Sequence, residues 1–205
     1  MTNYPFPILP KSIFAGILIA VAGWAFLANQ VVGMFLFCVG LIAVVKYGAK
    51  LYTGTAGFIA GWGDLGPLIL ILLGNIIGCL LVASVSLFSP LALPDVAAHI
   101  IETRLRTGWL GTGLLAIGCG LLMSFAVDFA RKNRDFSDWL PLLFAVPAFI
   151  LCGFPHCVAD AFYCWVYILN TPADSLLPAI LPLLWYYLSI VFGNFLGCNL
   201  YRIGH

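Results

Sequence analysis

One stretch of this chain combines a helix breaker, an imidazole and a carboxylate inside a long apolar run. It reads CGFPHCVAD over residues 152–160. Lipid offers no partner to a freed backbone amide, so irregular backbone at membrane depth is tolerated only where it is buried in protein or lines a water-filled cavity. Ionisable side chains at that depth cost about 2.5–3.5 kcal/mol each on insertion scales and are restricted in the same way. We therefore expect a solute pathway with His156 on it.

The imidazole of His156 indicates proton exchange, because the ordinary pKa of histidine is about 6.5. An anion does not cross a dry apolar constriction unaided, since taking it out of water costs several kcal/mol even after relaxation. Its neutral acid does. The anion of a weak acid, protonated at His156, would pass as the uncharged acid and ionise again beyond the constriction. The alternative is a core histidine that only bonds a backbone carbonyl, which the adjacent helix breakers make the weaker interpretation.

Asp160 lies one helical turn after His156, on the same face if the helix resumes at once. Three roles remain open for it. It could orient the imidazole and stabilise its protonated form, pair with Lys50, or cap the resumed helix. An ionised Asp160 would repel anions unless Lys50 or Lys46 offsets it, although lysines near helix ends usually extend to the membrane interface.

The composition is that of a polytopic membrane protein. Of the 205 residues, 63% are hydrophobic and 8% charged, with a formal net charge of +1. The mean hydropathy of +1.08 lies far outside the soluble range. No basic run is long enough to follow a phosphate backbone, so no nucleic-acid partner is expected. The seven cysteines form no C-x-x-C pair, and we expect no metal or other cofactor.

About twenty apolar residues cross a bilayer as a helix, and on that criterion the chain has six spans in one all-α membrane domain over 1–205. We place the spans at roughly 12–28, 32–62, 68–87, 108–130, 139–169 and 177–200. The second is interrupted over 47–55 and the fifth at 153–155, and a polar stretch, 89–107, precedes the fourth.

An internal repeat fixes the expected architecture. The motif GNIIGC over 74–79 recurs as GNFLGC over 193–198, in the third and sixth spans. Three spans per half is an odd number, so the repeats, about 11–88 and 108–201, must be inverted across the membrane. Each half contains one interrupted span, and such a pair indicates a midplane site. The motif residues, which we assign to close helix packing, are Gly74, Asn75, Gly78, Gly193, Asn194 and Gly197.

Basic residues favour the cytoplasmic side of span ends. An even number of spans places both termini on one side, which we expect to be the cytoplasmic side of the cell membrane. That side collects Lys11, Arg131, Lys132, Arg134 and Arg202. Arg104 and Arg106 then lie on the outer side, against the rule, where they either contact lipid headgroups or attract anions.

Taken together, these motifs resemble those of the formate/nitrite transporter family. GFPHCVAD over 153–160 is similar to that family's G-F-E-H-S-x-A-N, and GAKLYT over 48–53 to its G-x-[DE]-L-F-T. Gly-Asn-x-x-Gly occurs at the matching points of spans three and six. The resemblance covers nearly the whole chain. It implies a homopentamer of aquaporin-like protomers, each with a pore for small monovalent anions such as formate, nitrite, lactate, acetate or hydrosulfide.

The resemblance also implies roles for single residues. His156 matches the family's pore histidine, and Thr53 matches its loop threonine, with Leu51 and Tyr52 as neighbours. Without the resemblance, Thr53 could simply bond back to a carbonyl of its own segment. The apolar constrictions match Phe37, Leu41, Met123 and Phe149.

The family's outer basic residue, a lysine, falls on Arg104, with Arg106 as a close rival. Four positions depart from the family pattern. Pro155 replaces a glutamate, Asp160 an asparagine, Lys50 an acidic residue and Gly120 an asparagine. Lys50 and Asp160 flank the two interruptions, so the electrostatics of this pore differ from the family pattern.

The sequence therefore favours a channel for a small weak-acid anion with His156 as proton donor. The alternative is a pore for a small neutral or cationic solute such as ammonium, which Asp160 suggests. An intramembrane enzyme would need a nucleophile facing a base. Cys157 and His156 are adjacent in sequence and do not meet that requirement, so we expect no enzyme.

Overall fold

The computed structural model describes residues 8–132 and 135–204, and within those residues all regular structure is helical. The helices are α1 Ile8–Ala28, α2 Gln30–Lys46, α3 Thr53–Ala56, α4 Leu65–Ser86, α5 Leu93–Lys132, α6 Leu140–Leu151, α7 Cys157–Asn170 and α8 Ala173–Leu200. Short 3-10 turns lie at Trp62–Asp64, Phe136–Trp139 and Tyr201–Gly204.

Four helical segments in the described ranges are long and apolar enough to cross a membrane. They are Ile8–Ala28, Trp62–Ser86, Leu93–Arg131 and Ala173–Ile203. Three further apolar helices, Gln30–Lys46, Leu140–Leu151 and Cys157–Asn170, are shorter. The shorter helices fall where the sequence predicts the second and fifth spans, because the helical backbone stops there inside the apolar run.

A glycine marks the point where each of these runs loses its helical form. Gly48 follows the end of α2 with φ 61°, and Gly153 follows the end of α6 with φ 68°. This left-handed conformation costs little for glycine and is unfavourable for residues with a Cβ atom. After Gly48 the chain regains only the single turn of α3, which is shorter than the sequence predicts. After Gly153 it regains the full helix α7.

The stretch 89–107, which the sequence predicts as a polar connection, is largely helical. Helix α5 begins at Leu93 and kinks at Gly108, where φ is 77°. Leu93, Ala97 and Ile101 are buried at one-turn spacing, so an apolar stripe faces the core, while the charged residues other than Arg104 are exposed. These exposed charges give the segment the hydropathy of a loop.

Two helix pairs build the core in the same way. Helix α1 packs along α4, and α5 packs along α8. A Cβ atom on Gly78 would overlap the carbonyl oxygen of Ile13, and one on Gly197 would overlap that of Ile117. Glycine at these points lets the two backbones touch, as small residues do at membrane helix interfaces.

Candidate functional site

The two interrupted segments meet where His156 contacts Thr53. The Nε2 atom of His156 lies 2.9 Å from the Oγ1 atom of Thr53. Both side chains are buried, with 3% and 0% of their surface exposed. His156 immediately precedes α7, and Thr53 is the first residue of α3. The fold therefore places side by side two residues that the sequence singles out from opposite halves of the chain.

The other ring nitrogen of His156 caps helix α7. Its Nδ1 atom accepts a hydrogen bond from the backbone N–H of Ala159 at 3.2 Å. A neutral imidazole has one acceptor nitrogen and one donor nitrogen. Because Nδ1 is the acceptor, the ring hydrogen lies on Nε2 and is donated to Thr53. The ring N–H of His156 therefore points toward the first interruption.

A buried asparagine on α4 holds the first interruption. The Oδ1 atom of Asn75 accepts from the N–H of Tyr52 at 2.9 Å. Its Nδ2 atom donates to the carbonyls of Lys50, at 2.9 Å, and Ser12, at 2.8 Å. The side chain thus supplies hydrogen bonds that the missing helix cannot, where an unsatisfied backbone group in lipid would cost several kcal/mol.

A second asparagine, on α8, does the same for the second interruption. The Oδ1 atom of Asn194 accepts from the N–H of Cys157 at 2.8 Å. Its Nδ2 atom donates to the carbonyls of Pro155, at 3.0 Å, and Ala116, at 2.8 Å. The sequence motif by itself predicts only helix packing for both asparagines. The signal for the further role was available, because each is a polar residue inside an otherwise apolar repeated motif.

The last residue of each repeated motif also reaches the opposite half of the chain. The thiol of Cys79 donates to the carbonyl of Val158 at 3.3 Å, in the first turn of α7. The thiol of Cys198 donates to the carbonyl of Thr53 at 3.4 Å, in the first turn of α3. Thiols are weak donors, but here they join each motif to the start of the other half's short helix.

Asp160 pairs with Arg104 and not with Lys50, which removes one of the three roles left open for this carboxylate. The Nε atom of Arg104 lies 3.4 Å from Oδ1 of Asp160. Arg104 also donates through Nη1 to the carbonyl of Gly153 at 2.8 Å. The side chain of Asp160 is 1% exposed and that of Arg104 16%. Arg104 reaches this place because the helical turns before Gly108 lie over the second interruption.

The same carboxylate bonds the backbone of His156. Its Oδ2 atom accepts from the main-chain N–H of His156 at 3.1 Å. The contact therefore fixes the position of the residue, whereas the alternative of orienting the ring would need a bond to Nδ1 or Nε2. A carboxylate near a helix start lies close to N–H groups without helical partners, which explains the preference for the backbone.

The other basic candidates lie away from this pair. The side chains of Lys46 and Lys50 are exposed, and the backbone N–H of Lys50 donates to the carbonyl of Lys11 at 3.2 Å. Arg106 is exposed and donates to the hydroxyl of Thr103 on its own helix at 3.3 Å. Arg104, and not its rival Arg106, is therefore the basic residue beside His156.

A cavity of about 80 Å³ lies next to His156. Its walls include Arg104, Asp160 and the ring of Phe149, whose centroid is 5.8 Å from that of the imidazole. A water molecule occupies roughly 30 Å³ in the liquid, so the cavity is of the size of a very small solute. In the described ranges, no group of three or more His, Cys, Asp or Glu side chains is arranged to hold a metal ion.

The residues matched to the apolar constrictions are all buried. Their exposed fractions do not exceed 4%, and the rings of Phe37 and Phe149 make an edge-on contact with centroids 6.2 Å apart. The neighbours of Thr53 are also buried, and the hydroxyl of Tyr52 donates to the carbonyl of Val191 at 3.3 Å. The constriction residues are Phe37, Leu41, Met123 and Phe149, and the neighbours of Thr53 are Leu51 and Tyr52.

A second polar cluster, which the sequence analysis did not assign to the site, lies beyond α3. The guanidinium of Arg131 lies over the ring of Phe58, 5.1 Å from its centroid. The hydroxyl of Tyr201 donates to Oδ2 of Asp128 at 2.7 Å. In the expected cytoplasmic cluster, Arg134 and the side chain of Lys132 lie outside the described residues.

A family model described as formate/nitrite transporter matches residues 2–202 of this chain. The formate channel FocA of Haemophilus influenzae is 26% identical to it over 168 residues. That match covers 70% of this chain but only 56% of the relative, so the similarity spans little more than half of that protein.

Two solved structures share the fold. A pentameric formate channel with formate bound has a TM-score of 0.76 at 22% identity, covering 96% of this chain and 93% of its own. A structure described as an FNT family ion channel has a TM-score of 0.84 at 18% identity, covering 97% and 88%. With a family match over almost its whole length, this multi-pass membrane protein belongs to the formate/nitrite transporter family.

Proposed function

We propose that this protein is a channel for small monovalent weak-acid anions of the formate, nitrite, hydrosulfide, acetate or lactate class. His156 acts as the proton donor at the middle of the pathway. The observation that carries this proposal is the buried contact between His156 and Thr53, which joins the two interrupted segments. A pentameric formate channel with formate bound shares the fold, and we take this contact to be the point where a permeating anion receives a proton.

Proton transfer at His156 follows from the two bonds of its ring. Loading a second proton from water in the cavity places a hydrogen on Nδ1, so the ring must release the N–H of Ala159 as it becomes an imidazolium. An anion in the adjacent cavity favours that charged form. Transfer of the Nε2 proton to the anion then gives a neutral acid and a neutral ring protonated on Nδ1. The ring returns to its starting form when Nε2 takes a proton from water and Nδ1 releases its own, which restores the bond from Ala159. The neutral acid crosses the apolar residues, and the proton is released to water beyond them.

The apolar barrier on either side of His156 is assigned, as part of this proposal, to Phe37, Leu41, Met123 and Phe149. Their burial and the contact between the two phenylalanine rings support the assignment. Leu51 and Tyr52 shape the first interruption beside Thr53. An ion that keeps its charge meets several kcal/mol of desolvation at such a barrier, which a neutral acid avoids.

The proposed architecture is six spans in two inverted repeats, with the second and fifth spans interrupted. Three correspondences between the halves support it: Asn75 with Asn194, Cys79 with Cys198, and Gly48 with Gly153. We further propose cytoplasmic termini in the cell membrane, from the basic residues at the span ends, and a homopentamer, from the fold shared with a pentameric channel.

The competing proposal, a pore for a cationic or neutral solute, depends on a free carboxylate at Asp160. That carboxylate is occupied by Arg104 and by the N–H of His156. A cation entering the cavity would meet the guanidinium as well as the carboxylate. The geometry therefore favours an anion or its neutral acid.

Flux into liposomes containing the purified protein tests the proposal. Formate, nitrite, hydrosulfide and ammonium are each supplied across a series of pH values. We expect saturable flux of at least one of the three anions, loss of that flux in His156→Ala, and no protein-dependent flux of ammonium. Ammonium flux without anion flux would support the competing pore, and anion flux that is unchanged in His156→Ala would overturn the proton-donor role.

A further inference from the structure

We propose that Arg104 and Asp160 form a charge-compensated pair that makes the outer approach to His156 electrically neutral. As a result, the channel selects its substrate by the ability to accept a proton and not by attraction to a positive charge. This inference rests on the proposed function. It assigns to two residues of this chain the absence of electrostatic steering, which leaves the choice between anions to the proton transfer at His156.

The geometry shows a compensated pair. Nε of Arg104 and Oδ1 of Asp160 are 3.4 Å apart. Opposite unit charges at that distance cancel at longer range, leaving a dipole whose field falls off faster than that of either charge. The guanidinium is further fixed by its bond to the carbonyl of Gly153. It is therefore held against the second interruption and does not extend freely toward incoming solute.

The surroundings of the pair supply no further charge to the cavity. Besides Arg104, Asp160 and the titratable His156 and Tyr163, its lining is apolar, formed by Phe26, Ile100, Phe149, Ile150, Phe154 and Ala159.

The helical turns of α5 before Gly108 add no positive charge to this pair. Because Asp160 already compensates the charge of Arg104, these turns leave Asp95, Glu102 and Arg106, and His99 on the same turns is exposed. A site that concentrates anions by its field needs an excess of positive charge. The described residues around this cavity show no such excess.

Two consequences follow for substrate choice. An anion would reach His156 without electrostatic steering, so its apparent KM should hardly depend on ionic strength, because screening acts on unbalanced charge. The anion of a strong acid, such as nitrate, cannot be neutralised by the imidazole and is not attracted by the outer approach. It should be excluded, whereas formate or nitrite should pass.

The experiment measures the apparent KM for external formate, and nitrate entry, in right-side-out membrane vesicles at low and high ionic strength. An impermeant buffer salt sets the ionic strength at about 0.01 M and about 0.1 M, where the screening length falls from about 30 Å to about 10 Å. Three variants accompany the native protein. Asp160→Asn keeps an oxygen for the N–H of His156 and removes the charge, Arg104→Gln removes the opposite charge, and the double variant removes both.

We expect the native KM to change less than about twofold with ionic strength. Asp160→Asn should lower the KM by about tenfold at low ionic strength and lose the gain at high ionic strength, while nitrate, which still cannot accept a proton from His156, stays excluded. Arg104→Gln should raise the KM, and the double variant should return toward the native value. A purely structural brace would not give opposite shifts in the two single variants or their cancellation in the double variant.

Single variants that shift the KM in the same direction, with a double variant no better than either, would overturn the inference. A strongly salt-dependent KM in the native protein would also overturn the inference. That result does not depend on whether any variant folds. Either result leaves the proposed function standing, because formate still permeates. Absence of formate flux in the native protein would instead overturn the proposed function and this inference with it.

Discussion

At the scale of single residues, the two nitrogens of His156 have different partners and therefore different tasks. Nδ1 accepts from Ala159 and belongs to the start of α7, while Nε2 faces Thr53 across the junction. The ring is thus part of the fold on one side, and on the other it carries the proposed site of proton exchange. A change at Thr53 should affect transport more than stability.

Thr53→Val tests this division. Valine keeps the shape of threonine but removes the hydroxyl that bonds Nε2, and a buried polar group left without a partner costs about 1–3 kcal/mol. We expect formate flux to fall by about tenfold, an effect that corresponds to about 1.4 kcal/mol, and Thr53→Ser to retain most of it. Flux is measured in liposomes at matched protein content.

Thr107→Val is the matched control, because its hydroxyl bonds only the carbonyl of Thr103 on its own exposed helix. It should transport like the native protein. Equal flux in Thr53→Val and the native protein would contradict a functional role for the hydroxyl.

Sequence alone could identify His156 and Thr53, because each lies in a recognisable motif, but it could not identify the partner of Asp160. Lys50 seemed plausible because it flanks the other interruption. Arg104 is the partner because helix α5 starts earlier than expected and carries it over Gly153. That contact depends on how one helix lies across another, which no local pattern reports.

At the scale of elements, the interruptions are stabilised from outside. The backbone near Lys50 and Tyr52 is held by Asn75, and the backbone near Pro155 and Cys157 by Asn194. Each asparagine also bonds a neighbouring helix, so the irregular segments are tied to the core.

Alanine at Asn75 or Asn194 should therefore destabilise the protein strongly. Each change leaves a buried N–H and two carbonyls without their partner, at about 1–3 kcal/mol for each unsatisfied group. For a chain of this size 1 kcal/mol shifts the melting temperature by about 2–4 °C. We expect a decrease of roughly 5 °C or more in detergent, followed by intrinsic fluorescence.

Asn170→Ala provides the comparison, since that side chain only bonds a carbonyl one turn back at the end of α7. Its melting temperature should change by less than half as much. Equal decreases in all three variants would show that the asparagines of the repeated motif have no special role.

The paired helices allow a second test at this scale. In Gly78→Ala and Gly197→Ala the new methyl group would overlap a carbonyl oxygen of the facing helix, which forces α1 from α4 or α5 from α8. Overpacking of this kind costs about 1–3 kcal/mol of folding free energy. We expect both variants to melt at a lower temperature than the native protein and to give less folded protein on size-exclusion chromatography.

Gly63→Ala is the control just before the helix of Gly78, because a Cβ atom there meets nothing within 4 Å apart from its chain neighbours. This variant should be as stable as the native protein. A Gly78→Ala variant with the same melting temperature as Gly63→Ala would contradict the close packing.

The sequence predicted the long helices better than the short ones. Hydrophobic runs and the doubled motif indicate α1, α4 and α8, because length and periodicity are local properties. The helical turns of α5 before Gly108 were missed, since an amphipathic helix with many charges resembles a loop when only hydropathy is considered. The shortness of α3 was also missed, because its backbone is held by Asn75 from a different helix.

At the scale of the whole molecule, the two halves of the chain are joined through their interruptions and not only along their helices. Cys79 bonds α7 and Cys198 bonds α3, and His156 meets Thr53 between them. The proposed pathway therefore crosses a junction to which both halves contribute. Neither half alone would form it.

Assembly is the prediction at this scale. Purified in a mild detergent, the protein should give a native mass equal to a pentamer of 22.2 kDa chains, as expected from a closed ring of identical contacts. Exposed apolar side chains on the outer helix faces, such as Val39, Leu73 and Phe192, are available for such contacts. Native mass spectrometry that shows only monomers or dimers would contradict the pentamer.

The most direct test of the account follows proton movement during formate flux. Liposomes containing a pH-sensitive dye report the proton that enters with each formate, and His156→Asn is compared with the native protein. Asparagine keeps an oxygen to cap α7 but cannot exchange a proton, and His99→Asn serves as the control on the exposed part of α5. The account predicts formate-driven acidification in the native protein and in His99→Asn, and none above empty liposomes in a folded His156→Asn. Acidification of the native size in His156→Asn would contradict it.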